Sequence, residues 1–514
     1  MRRRLLFTYS CTRTIRRFLS NSLNWIDLYG PGLHLLTREF LQRDLRFCAS
    51  MTPEKSDAVS ASLEDAKRPS ANVPSHHIER PGALGPRFRN PWDTYEERSL
   101  THVWKWHKER RRSGLPTEGY LAGNMRPTVE DYRRAFPLNP VDWTALANPP
   151  ADGVQAVWVG HATVLVQMGG MTFITDPVFS ERCAPVQFAG PKRVVPPALT
   201  GCEPQMPPLD FVLLSHNHYD HLDTDSVRTL NRRYGKALTW YVPLGLRPWF
   251  AGEGVRTNLV ELDWWQSVEH RNAASGKSVT ITMVPAQHWS ARGILDRFRT
   301  LWGGYVVTAP PPPPSPPTDA APVAAAAAAQ PGQAGGNGNG GGNGAGLQGP
   351  ATAWSDPCAA AEGAPRTPGG GTGGAPAAAA AAAAVAPLRF YFVGDTGYCS
   401  VFKEIGERLG PIDLAAIPIG AYEPRWFMRP QHTNSEEGLQ VALDVRAAVS
   451  IGIHTATWSL TDEPLDEPPT RLQAAVREQG LPPSSFVTLQ HGEKAVVRGG
   501  KLQNTPNTLP VKEP

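Results

Sequence analysis

From about Val154 onward the chain falls into short apolar runs separated by polar breaks. Val157-Trp158-Val159-Gly160-His161-Ala162-Thr163-Val164-Leu165-Val166 and Thr172-Phe173-Ile174-Thr175-Asp176-Pro177 read as two successive strands. Phe211-Val212-Leu213-Leu214 reads as a buried strand. The pattern predicts further strands at 238–242, 279–285, 303–308, 389–393 and 414–419, with helices at 224–234 and 435–443 between them. Strands alternating with helices place the core in the α/β class, or in its layered α+β form.

The remaining stretches carry no such period. Residues 1–49 are basic, 50–85 are polar and read as a linker, and 86–150 read as an extension packed on the core. Asn90-Pro91-Trp92 and Trp104-Lys105-Trp106 lie in that extension. Residues 309–387 are dominated by Ala, Gly and Pro, which cannot bury enough apolar surface to offset chain entropy, so a disordered insertion is expected there. The insertion interrupts two strand-like segments that a short turn would join as a hairpin. Lengthening such a turn to some eighty residues costs only about 2 kcal/mol. The core is therefore expected in two halves of one unit, 151–308 and 388–500, with a tail at 501–514.

The 514 residues include fifteen tryptophans, enough for a large core. A net charge of +4 from scattered basic residues gives no reason to expect nucleic acid. The six cysteines form no CxxC pair, which argues against a disulfide framework or a zinc–thiolate site and for a reducing compartment. No run has the length of a membrane-spanning helix. Arg2, Arg3, Arg4, Arg13, Arg16 and Arg17 precede the first acid, Asp27, as in an organellar transit peptide. The same stretch, with Trp25, Leu28, Leu35 and Leu36, also suits a tail lying on anionic lipid.

Chemistry concentrates in His216-Asn217-His218-Tyr219-Asp220-His221, four potential metal ligands within six residues directly after a strand. Imidazole and carboxylate suit zinc or iron, and a pair of such ions can clamp a phosphate or a polarised carbonyl. Two ions need further ligands. His288, Asp395 and His454 each end an apolar run, in order after the loop. Any one alone is more often a surface or core residue; their shared placement favours ligation.

These residues resemble the metallo-β-lactamase fold, an αββα sandwich with a dinuclear site at one edge. Trp158-Val159-Gly160-His161-Ala162-Thr163, Glu261-Leu262-Asp263-Trp264-Trp265, Gly394-Asp395-Thr396-Gly397-Tyr398 and Ile419-Gly420-Ala421-Tyr422-Glu423-Pro424-Arg425-Trp426 narrow the resemblance. They are similar to N-acyl-phosphatidylethanolamine-hydrolysing phospholipases D. The resemblance implies two Zn2+ per chain: one on His216, His218 and His288, the other on Asp220, His221 and His454, with Asp395 bridging. It implies release of an N-acylethanolamine and phosphatidic acid by hydroxide attack on phosphorus, with Asp395 and Asp220 catalytic. Tyr219, Gln431 and His432 would contact the substrate, and His161 and Asp176 would steady the ligand loops. It also implies a homodimer at a membrane surface inside the cell. Asp263 and His491 receive no role. The block His454-Thr455-Ala456-Thr457-Trp458 departs from the family, which typically has Trp and Gly after that His. The insertion and the arginine-rich start are also foreign to it. Two other readings remain: a hydrolase of the same fold acting on a soluble phosphodiester or lactone, and an inactive lipid-binding scaffold.

Overall fold

A computed structural model describes residues 74–78, 87–112, 129–293, 296–311 and 386–506. The basic start, most of the expected linker and nearly all of the insertion lie outside the described residues.

The described residues begin with a two-stranded ribbon, β1 (His77–Ile78) and β2 (Arg87–Phe88). The core follows as β3 (Gly153–Gly160), β4 (Thr163–Met168), β5 (Met171–Thr175), β6 (Phe211–Leu213), β7 (Thr239–Pro243) and β8 (Leu259–Leu262). Then come β9 (Ser267–Arg271), β10 (Ser278–Val284), β11 (Gly304–Ala309), β12 (Leu388–Phe392), β13 (Ile412–Pro418), β14 (Ala447–Ile453) and β15 (Phe486–Val487). Two last strands, β16 (Lys494–Arg498) and β17 (Lys501–Leu502), return to the first sheet. One sheet runs β17-β16-β3-β4-β5-β6-β7-β8 and the other β15-β14-β13-β12-β11-β10-β9.

Alternation along the strands explains the layering. Val154, Ala156 and Trp158 of β3 share one cluster with Phe390 and Phe392 of β12, so the sheets bury these faces against each other. Val157 and Val159 face the other way, onto Val227 and Leu230 of the helix Thr224–Tyr234. Tyr391 and Ile417 likewise meet Phe402, Leu439 and Leu472 from helices on the second sheet's outer face. Helices outside two facing sheets make an αββα sandwich.

Three expectations need correction. The run 157–166 is not one strand but parts of β3 and β4, divided by a tight turn at Gly160 (φ 135°) and His161 (φ 53°). The stretch read as a linker contains β1, whose partners His77↔Phe88 and Ile78↔Arg87 lie beyond a break in the pattern. The tail contains β17, folded onto β16 through Gly499-Gly500, both at positive φ as a tight hairpin turn requires.

β11 and β12 pair antiparallel up to Thr308↔Arg389 and Ala309↔Leu388, so the strands flanking the long insertion are neighbours in one sheet.

Candidate metal centre

The parallel strands of both sheets release their loops at one edge. β6 runs into Ser215–His221, and its loop ends where Asp223 caps the helix Thr224–Tyr234 by accepting from Ser226 N. β10 leads to His288, β12 to Asp395 and β14 to His454. The close approach at β12 requires glycine: a Cβ on Gly394 would stand 2.7 Å from Ser215 Cβ, at φ +68°. His161, Asp176, Ala421, His454 and Ala456 also hold positive φ at this edge. Non-glycine residues adopt that conformation at a cost, and its clustering marks a constrained site.

Two groups of donors result. His216 Nε2 lies 2.8 Å from His218 Nδ1, which lies 3.2 Å from His288 Nε2. In the second group His221 Nε2 and His454 Nε2 each stand 3.5 Å from Asp220 Oδ2. Asp395 Oδ2 faces both: 3.2 Å from His221 Nε2, 3.1 Å from His454 Nε2, 3.8 Å from His216 Nε2 and 3.7 Å from His288 Nε2. Donors about 2.0–2.1 Å from one tetrahedral zinc stand about 3.3 Å from each other. The observed spacings bracket that value. His221 Nε2, His454 Nε2 and Asp395 Oδ1 are buried without a hydrogen bond, which is costly unless a cation satisfies them. The residues fit bound metal.

The surroundings hold His221, Asp220 and His288 in place. Asp176 Oδ2 accepts from His221 Nδ1 at 2.6 Å and from Ser215 Oγ at 2.5 Å. His161 Nε2 contacts Asp220 Oδ2 at 3.0 Å, and His288 Nδ1 contacts the Gln431 carbonyl at 2.9 Å. Such partners fix ring orientation and tautomer. Burial keeps the first group neutral and ready to ligate: His218 is pushed down to about 3, His288 to about 4, and His216 well below its usual value. Burial acts to raise Asp395 and Asp220, but the facing imidazoles, His221 foremost, hold both well below the usual carboxylate range. Burial would lower His454; the Asp395 and Asp220 carboxylates outweigh it and bring it to about 9.

Every ligand expected from the sequence arrives at this edge. His432 joins them, its Nδ1 3.9 Å from Asp395 Oδ2 and its ring 5.2 Å from that of His288. Gln431 lies beside it, with its amide nitrogen on Met428 Sδ at 3.3 Å. Tyr219 is turned elsewhere: its hydroxyl donates to the Arg292 carbonyl at 2.9 Å, and the Arg292 guanidinium lies 4.1 Å over its ring. The residues that depart from the family after His454 pack around His161. Thr457 Oγ1 accepts from His161 N at 2.8 Å, and Trp458 packs 4.8 Å from the His161 ring under Arg193. One contributor was missed. Asn90 brackets His288, donating to its carbonyl at 2.7 Å and accepting from its N–H at 3.1 Å. Asn90-Pro91-Trp92 was legible as an ordered block, but nothing in it pointed to His288.

Known proteins resemble the chain in sequence. The family model described as the Beta-lactamase superfamily domain matches residues 171–313 and 369–455. N-acyl-phosphatidylethanolamine-hydrolyzing phospholipase D 1 of Caenorhabditis elegans is 37% identical over 348 residues, covering 66% of this chain and 75% of its own. The Saccharomyces cerevisiae protein named N-acyl-phosphatidylethanolamine-hydrolyzing phospholipase D, mitochondrial, is 25% identical over 415 residues, covering 75% of this chain and 70% of its own. A Mycobacterium tuberculosis protein named as uncharacterised is 31% identical over 327 residues, 63% of this chain and 64% of its own. With a sandwich of this layering and buried His/Asp clusters at its edge, the chain belongs to the N-acyl-phosphatidylethanolamine-hydrolysing phospholipase D family of metallo-β-lactamase-fold, metal-dependent hydrolases.

Proposed function

We propose that the chain hydrolyses N-acyl-phosphatidylethanolamine to an N-acylethanolamine and phosphatidic acid, using two zinc ions. The observation that carries this reading is the placement of Asp395 Oδ2 within 3.1–3.8 Å of nitrogens from both donor groups. When bound, a zinc pair supplies hydroxide at neutral pH and offsets charge on a phosphodiester in the transition state. The chain's own residues supply position. Asp395, held ionised, links the groups and would orient an attacking water. His432, whose Nδ1 is buried without a hydrogen bond beside Asp395, is suited to a phosphate oxygen. Gln431 serves the site through its carbonyl on His288. The first two relatives named above carry the same activity in their names, which supports the lipid over other esters.

A two-tailed lipid places the reaction at a membrane surface. The helix Leu100–Arg112 supports that contact with an exposed Trp104, over which Lys108 lies at 4.7 Å. No helix among the described residues is long and apolar enough to cross a membrane. The same reading takes the enzyme as an intracellular homodimer, with the arginine-rich start as a mitochondrial or plastid targeting segment. The name of the yeast relative supports the mitochondrion.

Purified full-length protein, assayed in parallel on N-acyl-phosphatidylethanolamine vesicles and a soluble phosphodiester, tests the substrate. Turnover of the lipid, abolished by a chelator and restored by zinc, is expected. Turnover of the diester alone would sink the lipid assignment.

A further inference from the structure

A second gathering of metal-ligating side chains lies away from the strand-end loops, where the N-terminal ribbon meets the core. His76, just before β1, brings Nε2 to 2.7 Å from Asp263 Oδ1, and His77 brings Nε2 to 2.8 Å from Oδ2. Asp263 follows β8 and is 187 residues from His76 along the chain. One donor atom from each residue lies within 4.8 Å of the other two.

The three side chains are held before any ligand binds. His76 stacks on Trp264 with ring centroids 4.2 Å apart, and His77 meets Phe88 edge-on at 5.1 Å. Trp264 N donates to Asp263 Oδ1 at 2.8 Å, which fixes the carboxylate. A plain pair of His–Asp hydrogen bonds would account for His76. It accounts less well for His77, whose Nε2 lies 2.8 Å from Oδ2, an ion-pair distance, without the alignment of a hydrogen bond. A nitrogen so placed suits a cation shared with its neighbours.

We propose that His76, His77 and Asp263 bind a zinc-class divalent cation, separate from the candidate centre, that fastens the N-terminal ribbon to the core. Two imidazoles and a carboxylate are a zinc donor set, and three protein ligands leave one tetrahedral position for water. His77, about a quarter exposed, gives water that access. The fastening reaches the active edge through short links. β1 pairs with β2, Arg89 N donates to the His76 carbonyl at 2.9 Å, and the next residue, Asn90, holds the backbone of His288 from both sides. The cation is structural: it takes no part in hydrolysis and steadies the loop that carries one ligand of the centre. The proposal does not depend on which phosphodiester is cleaved.

Equilibrium dialysis of the full chain against zinc, followed by metal analysis, tests it in wild type, His77→Gln and Asp263→Asn. Each variant should hold one zinc equivalent fewer than wild type and retain the rest, which also shows that it has folded. The deficit of one must appear in both variants. Unchanged content, complete loss of metal, or a deficit in one variant only overturns the assignment.

Discussion

Asp395→Asn keeps the shape of the side chain and removes the charge that five imidazoles face. Hydrolysis should fall by roughly a hundredfold or more, as when a group aimed at transition-state charge is lost, and zinc content should drop with it. Kinetics and metal analysis on the same preparation check both. A different residue should contribute to the loss of stability in acid. Burial foremost, then Arg193 and His161, depress His491 to about 3, well below an ordinary histidine. As pH falls the unfolded chain protonates first, so this contribution is present above about 6.5 and is lost from there toward about 3. Chemical denaturation across that window should show His491→Gln losing stability less steeply, by up to about 1.4 kcal/mol per pH unit. An unchanged slope would contradict the assignment. The ligands were legible because His216, His218, Asp220 and His221 are close in sequence and the others end apolar runs. Asn90 and the Gln431 carbonyl were not, because they act on His288 through backbone groups or from far along the chain.

The edge is assembled by loops that must approach each other closely, and Gly394 is where β12 passes Ser215. Gly394→Ala adds a Cβ at positive φ against a packed neighbour. It should cost about 1–3 kcal/mol and weaken zinc retention, since Ser215 and Asp395 flank the contact. Thermal melts with and without zinc measure both effects. At this scale the sequence pattern did well where a run had one period. The helix Thr224–Tyr234 matches its expected bounds, and β10 to β13 lie within two residues of theirs. It failed at 157–166, where apolar residues continue through the turn at His161 because both sides of the turn are buried. It failed again at β1, where His77 and the preceding His76 are held by Asp263, Phe88 and Trp264 rather than by any local period.

For the whole molecule, the pairing of Ala309 with Leu388 makes the long intervening stretch a lengthened hairpin connection. Replacing residues 310–386 by a short turn should leave the fold and hydrolysis largely intact and raise stability slightly, by about 2 kcal/mol of loop entropy. Far-UV circular dichroism and activity of the shortened chain check this; loss of folding would give the insertion a structural role. The αββα layering followed from alternating strands and helices, but the meeting of strand ends from both sheets at one edge needed the resemblance. The reaction is tested most directly by hydrolysing N-acyl-phosphatidylethanolamine in water enriched in oxygen-18 and locating the label. Attack on phosphorus puts the label in phosphatidic acid and leaves the N-acylethanolamine unlabelled. Label in the alcohol, or no phosphatidic acid at all, would contradict the account.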